Sequence, residues 1–237
     1  MTTDAAPART GPGGWKTALA AGLLGALIGG GAVAYASRES VRDYLLANPE
    51  VLPEAMDRLR DRQAAQVVSA NRAALETPFA GAWAGAADGD VVLVEFFDYA
   101  CGYCRKSNSD IKRLLREDAR LKVVWREWPV LGPDSEAAAR ASLAAAQAGR
   151  YKPFYDALFA AGRPNAEAVA RARAAVGLGA ELPGAAGERE LERNFQLARA
   201  LEATGTPTFV VGDRIFQGAV GYETLRDAIR ETRAKKA

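Results

Sequence analysis

The longest uninterrupted apolar stretch of the chain is residues 17–36, TALAAGLLGALIGGGAVAYA, which carry no charge over 20 positions. A helix of that length spans the hydrocarbon core of a membrane. Ala34-Tyr35-Ala36 also has the small-x-small form of a signal-peptide cleavage site. We therefore interpret residues 1–36 as a cytoplasmic tail followed by a signal peptide or a signal anchor, two alternatives that the pattern leaves open. Both alternatives export the remainder of the chain.

A helical pattern covers residues 40–74, where an apolar side chain recurs every seven positions, at Leu45, Leu52 and Leu59. Pro49 and Pro53 predict that a short first helix ends and a longer one begins between them. The apolar stripe is narrow and the other faces are charged. It favours either packing on the helix's own domain or a short self-association seam, so we define residues 37–76 as a helical segment with a potential role in oligomerisation.

A strand–helix–strand pattern follows a Gly- and Ala-rich linker with one edge strand at residues 77–90. Residues 91–97, VVLVEFF, are a continuous apolar run that is typical of a strand buried on both faces. A helix is predicted to follow and to end near residue 117, and a second strand is predicted at 121–128. This order predicts a parallel βαβ unit.

The C-terminal half alternates between helical and extended patterns. Alanine-rich helical sequence covers residues 134–176, residues 177–187 are predicted to be a loop, and a further helix is predicted at 188–203. Two short strands, 208–211 and 214–217, flank the turn sequence Gly212-Asp213 and precede a helix at 222–232. The predicted fold class is therefore α/β, with a helical insertion at about residues 133–203 in a domain of residues 77–237.

The composition removes several classes of function. The chain contains no histidine, which is the most common general base and metal ligand, so a His-dependent hydrolase or a His-ligated zinc site is excluded. The formal net charge is only +2, which gives no reason to expect a nucleic-acid partner. We expect neither a metal nor an organic cofactor.

The two cysteines of the chain are Cys101 and Cys104, in the sequence Cys101-Gly102-Tyr103-Cys104. They follow the buried strand and open the predicted helix, whose free N–H groups and dipole stabilise a thiolate. Cys101 is therefore the expected attacking sulfur, and Cys104 is expected to resolve the mixed disulfide. A structural disulfide across so small a loop stabilises little. Cu(I) binding by the two soft sulfurs is the alternative from another functional class.

Three features resemble the DsbA-like thiol–disulfide oxidoreductases of thioredoxin fold over residues 78–235. They are the sequence VEFFDYACGYC, the inserted helical block, and TGTPTF at 204–209. The resemblance implies a cis bond between Thr206 and Pro207, placed beside the cysteine pair. It also implies that the Thr206 backbone pairs with an extended substrate, with Gly102 and Tyr103 at the same surface.

The resemblance also implies a role for Glu95, six residues before Cys101, as a buried acid that moves the proton of Cys104. A carboxylate in the middle of an apolar strand is costly to bury without a function, although a salt bridge, for example with Arg126, or a solvated edge of the sheet is an alternative. Asp98 is the competing acidic residue but lies nearer the turn. The aromatic residues around 125–155 are expected in the core rather than in a substrate groove.

The sequence VRDYLLANPEVLPEAM, residues 41–56, resembles the N-terminal segment of proteins of the suppressor-of-copper-sensitivity C type (ScsC-like). This resemblance implies a homo-oligomer through residues 40–75. The Gly-Tyr pair between the cysteines is similar to that of disulfide isomerases, so an isomerase or reductase is favoured over a disulfide-donating oxidase. The expected location is the periplasm, anchored by residues 17–36 or released near Ala36. Expected partners are unfolded or misfolded exported proteins with cysteines and a membrane redox protein.

Overall fold

The computed structural model describes residues 40–236. Residues 40–47 form helix α1, and Val51–Glu76 form helix α2, so the predicted break around Pro49 is confirmed. The chain divides into two compact units at Arg58 and Leu59. Within residues 40–236, every helix is too short or too polar to cross a membrane. The apolar stretch 17–36 lies outside the described residues.

Five strands form one mixed sheet in the order β1-β3-β2-β4-β5. The strands are β1 (Trp83–Gly85), β2 (Val91–Phe97), β3 (Leu121–Glu127), β4 (Thr208–Val211) and β5 (Arg214–Gln217). Helix α3 (Gly102–Glu117) connects the parallel strands β2 and β3, which confirms the predicted βαβ unit. The other strand pairs are antiparallel, and β4 and β5 form the predicted hairpin. At its turn Gly212 has a φ of +59°, a conformation that glycine adopts without strain.

The predicted helical run at 134–176 is divided into three helices, because Gly149 and Gly162 adopt positive φ between them. The helices are α4 (Pro133–Gln147), α5 (Tyr151–Ala160) and α6 (Ala166–Ala175), followed by α7 (Gly184–Ala200) and α8 (Tyr222–Lys236). The prediction that residues 177–187 are all loop is wrong beyond Pro183. Gly187 lies so close to this proline that a Cβ on residue 187 would be 2.2 Å from the Pro183 Cβ. Only glycine fits there, which explains why the first turn of the helix contains one.

Both faces of the sheet are covered, as the apolar run of β2 predicted. Leu93 and Phe97 face one core, which α3, α4, α5 and α8 complete. Val94 and Phe96 face the opposite core, which residues of α2 and α7 complete. The aromatic residues that the sequence placed in the core are all buried: Trp125, Trp128, Tyr151, Phe154 and Tyr155.

Arg126 is a buried cation on the α2 and α7 side of the sheet, with an exposed fraction of 1%. Its guanidinium forms an ion pair with Glu190 of α7 and donates to main-chain carbonyls at the end of α2, including that of Leu75 at 3.0 Å. The suggested pair between Arg126 and Glu95 is wrong. Glu95 is in register with Trp125, and Arg126, one residue further, points to the opposite face.

Candidate active site

The two cysteines lie where strand β2 turns into helix α3. Cys101 is the N-cap of α3, in an extended conformation, and its sulfur accepts a hydrogen bond from the Cys104 N–H at 3.3 Å. Cys104 lies in the first turn and is completely buried, whereas Cys101 retains an exposed fraction of 6%. Both are free thiols here. The turn therefore offers one accessible sulfur and keeps the second directly behind it.

The surroundings of Cys101 favour its thiolate. The adjacent Cys104 thiol lowers the pKa of Cys101 most, and the Thr206 side chain and the N–H groups of Tyr103 and Cys104 add to this effect. Burial acts in the opposite direction, but the pKa of Cys101 still falls to about 5. The Cys101 sulfur is therefore ionised at neutral pH, as required of a nucleophile.

The surroundings of Cys104 have the opposite effect. Burial raises the pKa of this thiol far above its usual range, and the neighbouring Cys101 and the charge of Glu95 raise it further. Cys104 therefore remains protonated while Cys101 is ionised. The two sulfurs are chemically different before any substrate arrives.

We expect the alkylation of Cys101 by iodoacetamide to be half-maximal near pH 5, because the rate follows the thiolate fraction and the pKa of Cys101 is about 5. Below that pH the rate should fall about tenfold per pH unit. The measurement is mass spectrometry of the reduced protein after timed alkylation, with a cysteine-containing unfolded peptide as the control. A half-maximal rate above pH 8 would contradict this assignment.

Residues Thr206 and Pro207 lie beside the cysteine pair. The peptide bond between them is cis, and the Thr206 carbonyl oxygen lies 3.2 Å from the Cys101 sulfur, which can donate a hydrogen bond to it while the thiol is protonated. Thr206 is half-buried, and Gly102 and Tyr103 are exposed on the same turn as Cys101. The structure thus brings four residues that the sequence predicted around the sulfurs to one place: Gly102, Tyr103, Thr206 and Pro207.

Glu95 lies on β2, beneath the cysteines, with no exposed surface. Its Oε2 accepts a hydrogen bond from the Trp125 indole at 2.9 Å, and its Oε1 has no hydrogen-bond partner among residues 40–236. Burial raises the pKa of this carboxyl to about 8, partly offset by the Trp125 hydrogen bond, and the charge of Cys101 adds to the increase. A carboxyl with such a pKa exchanges a proton near neutral pH.

The structure buries two further acids: Asp98, which the sequence offered as a competitor of Glu95, and Glu127, to which it assigned no role. The Asp98 carboxylate accepts hydrogen bonds from the cysteine turn, from the loop after β3 and from the first turn of α4. Glu127 is buried at the end of β3, where burial raises the pKa of its carboxyl and the Tyr151 hydroxyl donates to it at 3.1 Å. Glu127 carries the same sequence signal as Glu95, an acid in an apolar strand, whereas the partners of Asp98 are visible only in the fold.

This arrangement can form and resolve a disulfide. It contains an ionised, accessible sulfur, a protonated sulfur within the same helical turn, and a titratable carboxyl whose charge acts on the second sulfur. In the described part of the chain, no group of three or more His, Cys, Asp or Glu side chains is arranged to hold a metal ion.

Several solved structures are similar to this chain. A linker-deletion variant of Proteus mirabilis ScsC superimposes with a TM-score of 0.71 at 27% identity, over 84% of this chain and 93% of that chain. A thioredoxin-like oxidoreductase from Silicibacter pomeroyi is 40% identical, with a TM-score of 0.62, over 65% and 92% of the two chains. A periplasmic thioredoxin-like protein from Salmonella enterica serovar Typhimurium is 25% identical, with a TM-score of 0.65, over 69% and 95%.

The chain spans about a quarter of the length of the curated relatives that it matches. One of them, the Na(+)/H(+) antiporter NhaA of Herminiimonas arsenicoxydans, is 32% identical over 160 residues, which are 63% of this chain and 25% of that protein. The family model of the copper resistance protein ScsC N-terminal domain matches residues 38–66. The family model of the DSBA-like thioredoxin domain matches residues 92–230, more than half of the chain. With its cysteine pair at the start of α3 and the Thr206-Pro207 bond beside it, the chain belongs to the DSBA-like thioredoxin family of thiol–disulfide oxidoreductases.

Proposed function

We propose that this protein exchanges disulfides with exported, misfolded proteins through Cys101 and Cys104, and that it acts as an isomerase or reductase rather than as a disulfide donor. The observation that carries the proposal is the difference between the two sulfurs. Cys101 is ionised at neutral pH and reachable, whereas Cys104 is buried and protonated. In such a pair, the first sulfur attacks the substrate disulfide and the second resolves the mixed disulfide that results.

The reaction has two displacement steps. The Cys101 thiolate attacks one sulfur of a substrate disulfide, and the other substrate sulfur leaves as a thiolate. Cys104 then loses its proton and attacks the Cys101 sulfur, which releases the substrate as a second thiolate and leaves a Cys101–Cys104 disulfide. The substrate has gained two electrons and the cysteine pair has lost them. If a substrate thiolate attacks the mixed disulfide instead, the substrate is isomerised and Cys101 is regenerated.

Glu95 is the proposed acceptor of the Cys104 proton. Its carboxyl is held partly neutral by burial and by the charge of the Cys101 thiolate. In the mixed disulfide Cys101 is neutral, so this repulsion is lost and the carboxyl ionises more readily. A larger fraction of Glu95 is therefore ionised, and able to take up the Cys104 proton, at the step that needs a base.

We expect Glu95→Gln to slow the release of substrate from the mixed disulfide by about a hundredfold, the usual contribution of a general base. The amide oxygen of glutamine can still accept the Trp125 indole hydrogen bond, so the fold is retained. The decay of the mixed disulfide is measured by acid quench and gel analysis. Alkylation of Cys101 at pH 7 is the control and should change less than about twofold, and an unchanged decay rate would remove Glu95 from the mechanism.

The N-terminal helices support self-association, which suits an isomerase because several active sites then engage one substrate. Large apolar side chains of α1 and the start of α2 are between 50% and 65% exposed: Val41, Tyr44, Leu46, Leu52 and Met56. An exposed apolar helix face is characteristic of a helix that packs against another copy. We propose a homo-oligomer formed through residues 40–75.

We expect the double variant Leu52→Glu and Met56→Glu to sediment as a monomer, because two charges on the apolar face oppose association. The control is Leu182→Glu, which changes a leucine that is 70% exposed in the loop before α7. Analytical ultracentrifugation distinguishes the species. Identical sedimentation of wild type and the double variant would rule out association through this face.

The experiment that tests the direction of exchange is the redox state of Cys101 and Cys104 in intact cells. Cells are quenched in acid, free thiols are alkylated with a mass tag, and the protein is detected by blotting. A mostly reduced pair supports the isomerase or reductase, and a mostly oxidised pair means an oxidase recharged by a membrane partner. Fractionation of the same cells tests export, which is supported by residues 17–36 and by the periplasmic relative.

Cu(I) binding by the two sulfurs is the second candidate. It is favoured by the match of residues 38–66 to the N-terminal domain of a copper resistance protein and by the preference of Cu(I) for thiolates. Titration of the reduced protein with Cu(I) against a competing chelator tests it. Binding no tighter than that of a Cys101→Ser variant would exclude this role.

A further inference from the structure

Asp98 is the residue at which the cysteine turn and the loop after β3 meet. It directly follows β2, its exposed fraction is 1%, and its main-chain oxygen accepts a hydrogen bond from the Cys101 N–H at 3.1 Å. A buried carboxylate is costly unless it is hydrogen-bonded on both oxygens. The contacts that provide these hydrogen bonds therefore indicate why an acid is needed here.

The Asp98 carboxylate accepts four hydrogen bonds. Its Oδ1 accepts from the Ala100 N–H at 2.7 Å and from the Ser135 hydroxyl at 2.7 Å. Its Oδ2 accepts from the N–H groups of Val130 and Leu131 at 2.9 and 3.0 Å. A single side chain thus joins the residue before Cys101, the loop after β3, and the first turn of α4. Hydrogen bonds to a charged acceptor are about twice as strong as neutral ones.

The loop that Asp98 holds presents apolar side chains to solvent. Val130 and Leu131 are 42% and 48% exposed, although both are large and hydrophobic. Their N–H groups and the Ala100 N–H converge on the same carboxylate, so this apolar pair lies next to the turn that carries Cys101. Tyr103, which is 67% exposed, is the other large apolar side chain on that turn. An exposed apolar surface beside a reactive sulfur is suited to binding the residue that flanks a substrate cysteine.

We infer that Asp98 is a positioning residue that fixes Val130 and Leu131 beside Cys101 as a binding surface for substrates with a large apolar residue next to the reacting cysteine. This inference rests on the proposed function and adds a substrate class to it. Such cysteines are buried in folded proteins and exposed in misfolded ones. The surface therefore selects misfolded substrates by the chemistry around their disulfides.

The test compares two cyclic peptides, each closed by one disulfide, that differ only in having leucine or glycine beside the cysteines. Reduced protein is mixed with each peptide in single-turnover experiments, and the rate is followed against peptide concentration. Asp98→Asn removes the negative charge and leaves one acceptor oxygen for four donors, so the contacts that hold the loop are weakened. We expect the half-saturating concentration for the leucine peptide to rise about tenfold, as for the loss of one such anchoring contact. Values for the glycine peptide should change less than about twofold.

Two further variants separate positioning from folding. Ser135→Ala removes one donor from the same carboxylate but leaves both loop contacts, so neither peptide should be affected. The double variant Val130→Ser and Leu131→Ser retains the backbone contacts and removes the exposed apolar side chains. It should reproduce the selective loss of the leucine peptide even if Asp98→Asn does not fold.

The outcomes have different meanings. Equal effects of the Val130 and Leu131 double variant on both peptides, or no effect on either, would overturn the inference while the proposed exchange activity stands. If the wild-type protein reduces neither peptide and does not react with glutathione disulfide, the proposed function fails and the inference fails with it.

Discussion

A Cys101→Ser variant will lose disulfide exchange by about a thousandfold or more, because a serine hydroxyl is not ionised at neutral pH and cannot attack a disulfide. Cys104→Ser will behave differently. It retains the attacking thiolate but lacks the resolving sulfur, so it will accumulate as a mixed disulfide with substrates. The structure predicts this asymmetry because Cys101 is accessible and ionised, whereas Cys104 is fully buried and protonated.

The two serine variants are compared by reacting each with a disulfide-containing substrate and separating the products on non-reducing gels. A band at the summed mass should appear for Cys104→Ser and disappear on treatment with a reductant. The Cys101→Ser protein should give no such band. Trapping by Cys101→Ser in place of Cys104→Ser would reverse the assigned roles of the two sulfurs.

Removal of the buried cation at position 126 will have the largest effect on stability. Arg126→Ala leaves the Glu190 carboxylate buried without its ion-pair partner, and it leaves the carbonyls at the end of α2 without their donor. Burial lowers the pKa of Arg126 and raises that of Glu190, so desolvation opposes both charges. Breaking a buried pair of this kind costs about 3–5 kcal/mol of unfolding free energy.

The matched control is Arg140→Ala. Arg140 forms ion pairs with Glu136 and Glu188 at the surface, with 35% of its own side chain exposed, and such pairs contribute about 0–1 kcal/mol. Urea unfolding followed by circular dichroism measures both variants. The double variant Arg126→Met and Glu190→Leu should recover much of the loss, since no unpaired charge remains. If the Arg126→Ala protein were as stable as Arg140→Ala, the buried ion pair with Glu190 would not stabilise the fold as proposed.

The sequence predicted those features that depend on residues close to one another in the chain. The strand, turn and helix around Cys101 are consecutive in the chain, so their spacing alone predicted the helix N-terminus and the ionised sulfur. The strand limits of β2 followed from its apolar run. Pro207 and Glu95 were nominated by resemblance to the family, and the structure places Pro207 beside the sulfurs and Glu95 beneath them.

What the sequence did not predict depends on distant partners. The Oδ2 contacts of Asp98 come from residues 32 and 33 positions away, and the Glu190 partner of Arg126 lies 64 positions away. No periodicity links such residues. The start of α7 was misplaced for a different reason: its glycines are poor helix formers, and the close approach to Pro183 that requires a glycine at position 187 exists only in the folded chain.

The short edges of the sheet have a consequence for a protein proposed to hold unfolded chains. β1 and β5 have three and four residues, and both lie at the outside of the strand order. A long edge strand would recruit an extended client by strand addition and seed aggregation. These edges offer too few free main-chain groups for that. A client is therefore held around the cysteine turn rather than along an edge of the sheet, and it can diffuse away once its disulfide is resolved.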